Sequence, residues 1–537
     1  MMPVRKTGRS RVRTLLIGAV ALSMAGGLAG CADSEAPASA PADVSAEARA
    51  GGDLTMLAYV PLRSFDPAEN DTLASTGDGS RMSAIYDYLF SLDPATGEVV
   101  PRIGKSLTPN DDGTVWTLTL NDDVTFSDGT DLDAEAVKFT WEHIRDTGVA
   151  RIGQTITSWK LEVTDPLALT IGLPAPNKQL DKTIADSLPF VISPTAYQND
   201  PHGFAKNPVG AGPFLLEKAV ADDYETYVAN EDYWKEGLPK LDSIRIELIA
   251  DAAQRVNTIA SGEADMQAPE SGTDLSLLAT AESEGLVDDT ILQSGGGWIY
   301  FNNTRPPFDD PRARRAVYLA LDREQLAQVA LGSPDAQAID TMFVSDSPFF
   351  EDDLSFPETD AEQAQELFDE LAAEGSPVDF TYVNMAGAVN SRTAQFIQAQ
   401  LTQFENVAMT IDTIDVTAAR ERVFLKKDYD MSPYPGAYKY PDPEPGLFNL
   451  LATDASFNTT GYSNPEVDAA LEAARQTTDA DARKKHYRTV QEHFMEDLPG
   501  LFTYTATLST ILTQDVTGLL YNARGLVIWD ELGFKEK

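Results

Sequence analysis

Residues 116–145 read WTLTLNDDVTFSDGTDLDAEAVKFTWEHIR, and this stretch contains both kinds of regular structure. Residues 116–120 alternate apolar and polar side chains, which is typical of a half-buried strand. The Asn and Asp residues after them predict a turn, 124–126 predicts a returning strand, and Asp128-Gly129 predicts a second turn. Asp133 then predicts the N-cap of a helix that runs to about residue 145.

The same succession of strands and helices continues on both sides of this stretch. Apolar runs predict strands at 53–60, 214–216, 224–228 and 244–249. Capping and stop residues predict helices at 251–261, 310–321, 361–374 and 464–475. Because strands and helices alternate throughout, the fold class is α/β.

The glycine run Gly295-Gly296-Gly297 comes before the apolar residues 298–301 and is the best candidate for a break between domains. One interpretation is a strand that crosses between two lobes, with glycine giving the backbone freedom. The other is a plain loop before a strand. These residues alone leave both interpretations open.

The composition is strongly acidic, with 41 Lys and Arg against 84 Asp and Glu and a formal net charge of −43. Nucleic acid is bound mainly by Lys and Arg on the phosphates, so we expect no nucleic-acid partner. The length of 537 residues suits roughly three domain-sized units. After the N-terminal segment, no apolar run reaches the roughly 20 residues that a membrane span needs.

The N-terminal residues predict an export signal over 1–30. Five basic residues precede the short apolar run 15–22, and the segment ends Leu28-Ala29-Gly30-Cys31. This ending resembles a bacterial lipobox, in which the Cys becomes the lipidated N-terminus. Cys31 is the only Cys in the chain, and the residues after it predict a flexible tether over 31–50. We expect an anchor on the outer face of the cell membrane; a plain signal peptide with a chance Cys is the alternative.

The chain lacks the motifs of common enzymes, and we predict no catalytic residues, no metal site and no cofactor. It has no Gly-x-Ser-x-Gly elbow, no His-Glu-x-x-His and no phosphate-binding loop ending in Gly-Lys-Ser/Thr. His486 and His493 lie two helical turns apart, which suits a solvated helix face better than one metal ion. Paired carboxylates are everywhere among 84 acids, so an exported acidic hydrolase stays as the alternative.

Several segments follow one another in a fixed order along most of the chain. Residues 89–98 read LFSLDPATGE, 124–130 read VTFSDGT, 207–214 read NPVGAGPF and 230–234 read NEDYW. Later segments are FNN at 301–303, PFDDPR at 307–312, ALDR at 320–323 and GYSNPEVD at 461–468. In this order the set resembles the family 5 (peptide/nickel-type) solute-binding proteins of ABC importers.

The resemblance implies an α/β, two-lobed periplasmic-binding-protein (Venus flytrap) fold with an extra subdomain in the first lobe. It places lobe 1 at 51–298 with the subdomain over about 86–205, lobe 2 at 299–500, and a return to lobe 1 at 501–537. The implied partners are a small peptide-like or anionic ligand and an ABC permease with its ATPase subunits. We expect a monomer in which a ligand that bridges both lobes populates the closed form.

One candidate binding segment departs from the family pattern. Peptide-binding members carry a Trp-x-Ala-Asp-Tyr-x-Asp-Pro segment whose first Asp can pair with the amino terminus of a peptide. Residues 436–443 read GAYKYPDP, with Gly436 in place of the Trp and Lys439 in place of that Asp. Since Lys439 would repel an ammonium, the hypothesis is a ligand that lacks a free amine here or presents an anion. The alternative is that Lys439 points outward or serves a neighbouring Asp or Glu.

The candidate ligand-binding residues follow the first strand, lie at the suspected crossing strand, or surround residues 436–443. They are Tyr59, Leu62, Arg63, Ser64, Trp298, Tyr300, Tyr434, Gly436, Tyr438, Lys439 and Tyr440. Aromatic side chains suit ligand stacking, but core packing accounts equally well for each of them. The ligand stays open between an oligopeptide, a metal chelate, an opine or sugar derivative and another small anion.

Overall fold

The structure, a computed structural model, describes residues 47–70, 76–148, 152–440, 442–455 and 457–536, without the side chains at 76, 416, 417, 420 and 435–438. The predicted export signal, Cys31 and most of the predicted tether lie outside these residues. Within the described part of the chain, no helix combines the length and the apolar character that crossing a membrane requires.

The strands fall into three stretches of the chain. The first holds β1 Asp53–Ala58, β2 Phe90–Leu92, β3 Val99–Pro101, β4 Gly104–Pro109, β5 Val115–Leu120, β6 Lys160–Asp165, β7 Ala168–Gly172, β8 Phe214–Val220, β9 Tyr224–Ala229 and β10 Ser243–Leu248. The second holds β11 Met266–Gln267, β12 Glu270–Ser271, β13 Val287–Phe301, β14 Val378–Met385, β15 Val407–Ile414 and β16 Met431–Lys439. The third holds β17 Gly500–Leu512, β18 Val516–Thr517, β19 Leu520–Tyr521, β20 Val527–Ile528 and β21 Gly533–Phe534.

The helices lie between these strands. Those before β13 are α1 Thr76–Tyr86, α2 Ala134–Thr147, α3 Ile152–Ile156, α4 Leu180–Ser187, α5 Pro194–Asn199, α6 Ala252–Ala260 and α7 Leu275–Ser283. Those after it are α8 Pro311–Leu319, α9 Arg323–Leu331, α10 Ala361–Ala373, α11 Ala388–Leu401, α12 Val416–Ala419, α13 Gly446–Leu451, α14 Pro465–Arg475 and α15 Ala480–Asp497. A 3-10 turn, Pro67–Glu69, and a π-helical turn, Arg420–Leu425, complete the set.

The predicted helices begin at the predicted caps. Asp133 accepts a hydrogen bond from an N–H in the first turn of α2, and Asp251 does the same for α6. Asp310 and Asn464 cap α8 and α14, each ahead of a proline in the first turn. A side chain that satisfies the free N–H groups of the first turn stabilises a helix start by about 1 kcal/mol, so this signal is local and readable.

The returning strand predicted at 124–126 is wrong. Thr125 forms only an isolated bridge, with Asp131. Instead of folding back on this segment, β5 pairs with β4 on one side and β7 on the other, and together with β6 they form a separate antiparallel sheet. β4, which precedes β5 by a five-residue connection, pairs with one edge of β5, and β7 from much later in the chain pairs with the other, so no edge of β5 is left for 124–126.

The main sheet has eleven strands, ordered β15-β14-β16-β13-β17-β11-β1-β10-β9-β8, with β12 added on β17. Its two longest strands, β13 and β17, are antiparallel neighbours, paired from Val287 opposite Leu512 to Tyr300 opposite Gly500. They pass from one hydrophobic core to another. Val287 and Ile291 pack against a first core, whereas Trp298 and Phe502 lie in a second. We call β13 and β17 the crossing strands.

The two cores divide the chain unevenly. The first core takes buried side chains from 54–268 and again from 508–532, whereas the second takes them from 298–502 alone. The return of the chain to the first core buries Trp529 and Leu532 completely or nearly so. The first core is therefore built from two separate parts of the sequence.

The glycine run lies inside a crossing strand, not in a loop. Gly295 has a φ of +102°, a conformation that favours glycine. A Cβ on Gly297 would lie 2.5 Å from both the Thr503 hydroxyl oxygen and the Tyr504 ring. The glycines thus serve a close approach between the crossing strands as well as an unusual backbone conformation.

A group of buried charges links three parts of the first core. The Arg102 guanidinium donates to Asp87 at 2.7 Å and to Asp530 at 2.8 Å, and the Lys235 ammonium donates to Asp530 at 2.6 Å. We call these four residues the Asp530 network. Burial alone would raise the pKa of Asp530, but Arg102 and Lys235 hold the pKa of that carboxyl below its usual range.

Candidate ligand-binding site

The directions of the strands identify one boundary as the candidate site. β1 runs parallel to β10 and β11, and β11 runs antiparallel to β17, which passes from the second core to the first. β1, β10 and β11 therefore end facing the second core. By the same reasoning β14, β15 and β16 end facing the first core, because β16 is antiparallel to β13. Ligands in open α/β sheets bind outside the carboxyl ends of strands, so the boundary between the cores is the candidate site.

The segment 436–443 arrives at this boundary at the end of β16. Lys439 lies opposite Gly295 and Tyr438 opposite Gly296 on the neighbouring crossing strand. Gly436 also lies on β16, while its surroundings and the Tyr438 side chain are outside the described part. Tyr440 follows the strand; its hydroxyl donates to the Met342 carbonyl at 2.7 Å and its ring belongs to the second core.

Lys439 is buried, with 8% of its surface exposed. Among the described residues its ammonium has one acceptor, the Arg524 carbonyl oxygen at 3.0 Å. Burial, helped by the nearby Arg524 charge, lowers the pKa of Lys439 to about 7. An ammonium can donate three hydrogen bonds, so this one has donor capacity to spare in a place where a charge is costly.

Arg524 reaches the boundary from the other side. It lies in the turn between β19 and β20, next to Ala523 and Leu526 of the first core. Its guanidinium forms a two-pronged ion pair with Asp186 on α4. The ion pair holds this turn in place. The turn carries the Arg524 carbonyl oxygen that accepts the hydrogen bond from Lys439.

Asp442, the single acid of the segment, is a second buried charge at the boundary. It accepts hydrogen bonds from Arg483 of α15 at 2.7 and 3.1 Å and lies 2.9 Å from the Lys182 ammonium of α4. Burial by itself would raise the pKa of Asp442, but the two cations hold it below its usual range. Asp442 therefore stays ionised at neutral pH and links α4 to the second core.

The candidates that follow β1 pack at the edge of the first core. Tyr59 is half-buried there, with the Arg255 guanidinium 5.6 Å from its ring centre, and Leu62 packs on the same core. Arg63 lies 3.6 Å from Asp78, and the Ser64 hydroxyl donates to Glu69 at 2.9 Å. These residues come after the carboxyl end of β1 and so lie on the first-core side of the boundary.

The aromatic candidates Trp298, Tyr300 and Tyr434 belong to the second core. Trp298 is 1% exposed, with its ring centre 4.6 Å from that of Phe502. The Tyr300 and Tyr434 ring centres are 6.2 Å apart in the same group. This packing favours a role in the core for Trp298.

Several residues at the boundary escaped the sequence analysis, namely Gln179, Lys182, Asp186, Arg483 and Arg524. Their partners are far away in the chain, 338 positions for the Arg524–Asp186 pair. No local pattern marks a side chain whose partner lies so far away in the sequence. Asp442, the single acid of 436–443, was the one signal available, because it is the only charge of that segment kept from the family pattern.

Solved structures show the same fold. The oligopeptide-binding protein AppA from Bacillus subtilis, in complex with a nonapeptide, has a TM-score of 0.79 at 20% identity and covers 91% of this chain and 100% of its own. AgaA from A. tumefaciens R10, in complex with agropinic acid, has a TM-score of 0.79 at 20% identity and covers 90% and 99%. The fold is thus that of a two-lobed periplasmic binding protein with an extra subdomain in its first lobe.

Sequence similarity then shows the family. Residues 98–458 match the bacterial extracellular solute-binding proteins, family 5. The glutathione-binding protein GsiB of Salmonella paratyphi A is 29% identical over 470 residues, which are 84% of this chain and 89% of that protein. GsiB of Escherichia coli O157:H7 is 28% identical over the same length. The chain belongs to family 5 and is a solute-binding component of an ABC importer.

Proposed function

We propose that this protein is a lipid-anchored, monomeric receptor that catalyses nothing and whose ligand presents an anion, not an amine, to Lys439. The ligand would lie between lobe 1, residues 51–298 with the return 501–537, and lobe 2, residues 299–500. The extra subdomain over about 86–205 belongs to lobe 1. Cys31 would carry the lipid and hold the body outside the cell, where the ABC permease and its ATPase subunits receive the ligand.

The observation that carries this proposal is the environment of Lys439. Its ammonium is buried and has a carbonyl oxygen, not a carboxylate, as its acceptor among the described residues. A ligand ammonium placed beside it would be repelled, whereas a ligand carboxylate would supply the missing counter-charge. The low exposure of Lys439 supports a side chain that points inward and not into solvent.

The relatives bind different ligands, so the ligand class of this protein is inferred from the chemistry of its site. By name, GsiB binds glutathione, and the related structures hold a nonapeptide and agropinic acid. Since such different ligands occur on one fold, the residues at the boundary must select among them. A Lys at the position of the family's amine-binding Asp favours a small organic acid or an amine-blocked peptide over a peptide with a free amino terminus.

The proposal is tested first by native mass spectrometry of the protein purified without denaturation. An adduct that is lost on unfolding identifies the ligand, and an anionic or amine-free mass supports the proposal. An adduct that the protein converts to product would instead point to an exported hydrolase, and a metal-containing mass to a chelate-binding protein.

A matched pair of probes tests the role of Lys439 directly. Calorimetry with trialanine and N-succinyl-trialanine compares a free amine with an acid on the same peptide. We expect the succinylated probe to bind at least tenfold more tightly, and Lys439→Asp to reverse this order. Unchanged affinity of Lys439→Asp for the natural ligand would show that the proposal is wrong.

The anchor has its own test. Metabolic labelling with a radioactive fatty acid should label the parent chain and not Cys31→Ser, and the variant should be released from the membrane fraction. Labelling of both chains would exclude Cys31 as the lipid site, without bearing on the ligand.

A further inference from the structure

Helix α4 and the two residues before it contact the second core repeatedly. The Lys178 N–H donates to the Arg475 carbonyl at 2.7 Å, and the Gln179 amide donates to the Thr477 carbonyl at 2.7 Å. The Lys182 ammonium lies 2.9 Å from Asp442. α4 itself belongs to the first core, where Leu180, Ile184 and Ala185 are buried. One short element of the first lobe thus forms three hydrogen-bonded contacts with the second.

Two charged residues of α4 are connected to the two ends of the segment 439–442, one directly and one through Arg524. Lys182 and Asp186 are four residues apart, which places them one turn apart on the same helix face. Lys182 pairs with Asp442 at one end of the segment. Asp186 pairs with Arg524, whose carbonyl accepts the hydrogen bond from Lys439 at the other end.

We propose that α4 is an interlobe clasp: Lys182 holds the second lobe closed through Asp442, and Asp186 positions the ligand-binding ammonium of Lys439 through Arg524. Both are positioning residues that act through others. The part that concerns Lys439 rests on the function proposed above, whereas the part that concerns closure does not.

The distribution of partners suits a contact that must open. Arg483 belongs to the second lobe, so it stays with Asp442 when the lobes separate and no buried carboxylate is left without a cation. Asp186 and Arg524 both belong to the first lobe and stay paired in the same way. Lys182, 13% exposed, is near enough to the surface to regain water. Breaking a buried pair is usually costly because one charge is stranded without a partner, and this arrangement strands neither charge.

A hydrogen bond within its own lobe also orients Lys182. Its ammonium donates to the Gly97 carbonyl at 3.2 Å, within the same subdomain. A side chain that is oriented in advance loses less conformational freedom when the second lobe arrives. The interlobe pair therefore contributes to closure more than an exposed and mobile pair would.

Lobe separation without ligand tests the clasp. The full chain with Cys31→Ser has no remaining Cys, so Glu217→Cys and Glu472→Cys, both exposed, give one spin-labelling site in each lobe. Double electron–electron resonance then reports the distance between the labels. We expect Lys182→Met to raise the ratio of long to short distances at least threefold, and Lys182→Arg, which keeps the charge, to restore most of the parental ratio.

The matched control is Lys160→Met, an exposed Lys of the same subdomain, which should leave the ratio unchanged. A Lys182→Met chain with the parental distance distribution would overturn the clasp, as would equal effects of the two Met variants. Because no ligand is present, this result is independent of the probe experiment on Lys439.

The positioning role of Asp186 is read from the titration of Lys439. In ¹⁵N-lysine NMR, Asp186→Asn should shift the titration midpoint of the Lys439 amine relative to the parent, because the turn that carries the Arg524 carbonyl loses its ion pair. A midpoint that stays at the parental value in a folded Asp186→Asn chain would overturn this part of the proposal.

Discussion

The ammonium nitrogen of Lys439 lies 3.0 Å from the carbonyl oxygen of Arg524, so a strand of the second lobe is hydrogen-bonded to the part of the chain that returns to the first. The two residues are 85 positions apart, and their side chains carry charges of the same sign. The contact is possible because the Lys439 ammonium meets the backbone oxygen of Arg524 and not its guanidinium. This hydrogen bond joins the two lobes, and it is made by the same ammonium that we propose binds the ligand.

The affinity for an anionic ligand should depend on pH through Lys439. Burial lowers the pKa of this group to about 7, and a bound carboxylate would raise it again, so binding takes up a proton at higher pH. Above pH 7 we expect the Kd of an anionic probe to rise by up to about tenfold per pH unit. Calorimetry across pH 6–9 measures this, and Lys439→Met should show a flat profile. A flat profile in the parent would contradict the role of the ammonium.

Without ligand, the same group should make stability rise with pH. The unfolded chain holds the Lys439 proton up to a pKa of about 10.4, whereas the folded chain releases it near pH 7. In this window the unfolded state binds more protons, so the free energy of unfolding increases as the pH rises. Chemical denaturation at pH 6 and 9 checks the sign.

Replacing Lys439 by Met should stabilise the folded protein at pH 6 by about 1–4 kcal/mol, because the lowered pKa of Lys439 means that folding disfavours its charge, and Met is an apolar side chain of similar size. The exposed Lys160→Met serves as control and should change little. A destabilised Lys439→Met would show that the ammonium has a stabilising partner in the folded state.

Gly297→Ala should destabilise the protein by about 1–3 kcal/mol, since the new Cβ would lie 2.5 Å from atoms of Thr503 and Tyr504 on the other crossing strand. Gly172→Ala in β7 is the control, because its Cβ would meet its nearest neighbour at 3.4 Å. Thermal unfolding compares the two. Equal melting temperatures of the Gly297→Ala and Gly172→Ala variants would contradict this prediction, because they would mean that the crossing strands can move apart at Gly297 without loss of stability.

Asp530→Ala should lower the free energy of unfolding by about 3–5 kcal/mol, because Arg102 and Lys235 lose a shared carboxylate inside the first lobe. Since the pKa of Asp530 is lowered by folding, its stabilising contribution is present at neutral pH and disappears as the pH falls through that pKa. The difference between parent and variant should therefore shrink as the pH falls below the ordinary pKa of an Asp, about 3.9. The exposed neighbour Glu531→Ala is the control, and an equal loss in both would contradict the network.

Sequence patterns predicted the helices that begin at Asp133, Asp310 and Asn464, because each cap and its helix lie within a few residues. They failed at 124–126, where the partners of β5 come from other segments. At the boundary, the segment 436–443 could be found because it matches a family pattern. Lys182 and Asp186 could not, since their role depends on contacts between lobes and an exposed helix face has the same composition.

The discontinuous first core has a consequence for how the chain matures during synthesis and export. Residues 298–502 supply the second lobe by themselves, whereas the first lobe needs Trp529 and Leu532 to fill its interior. The half that leaves the ribosome first is consequently the half that can finish folding last. Contacts of such sequence separation form slowly, so the newly made N-terminal half stays without its full core until nearly the whole chain has been synthesised.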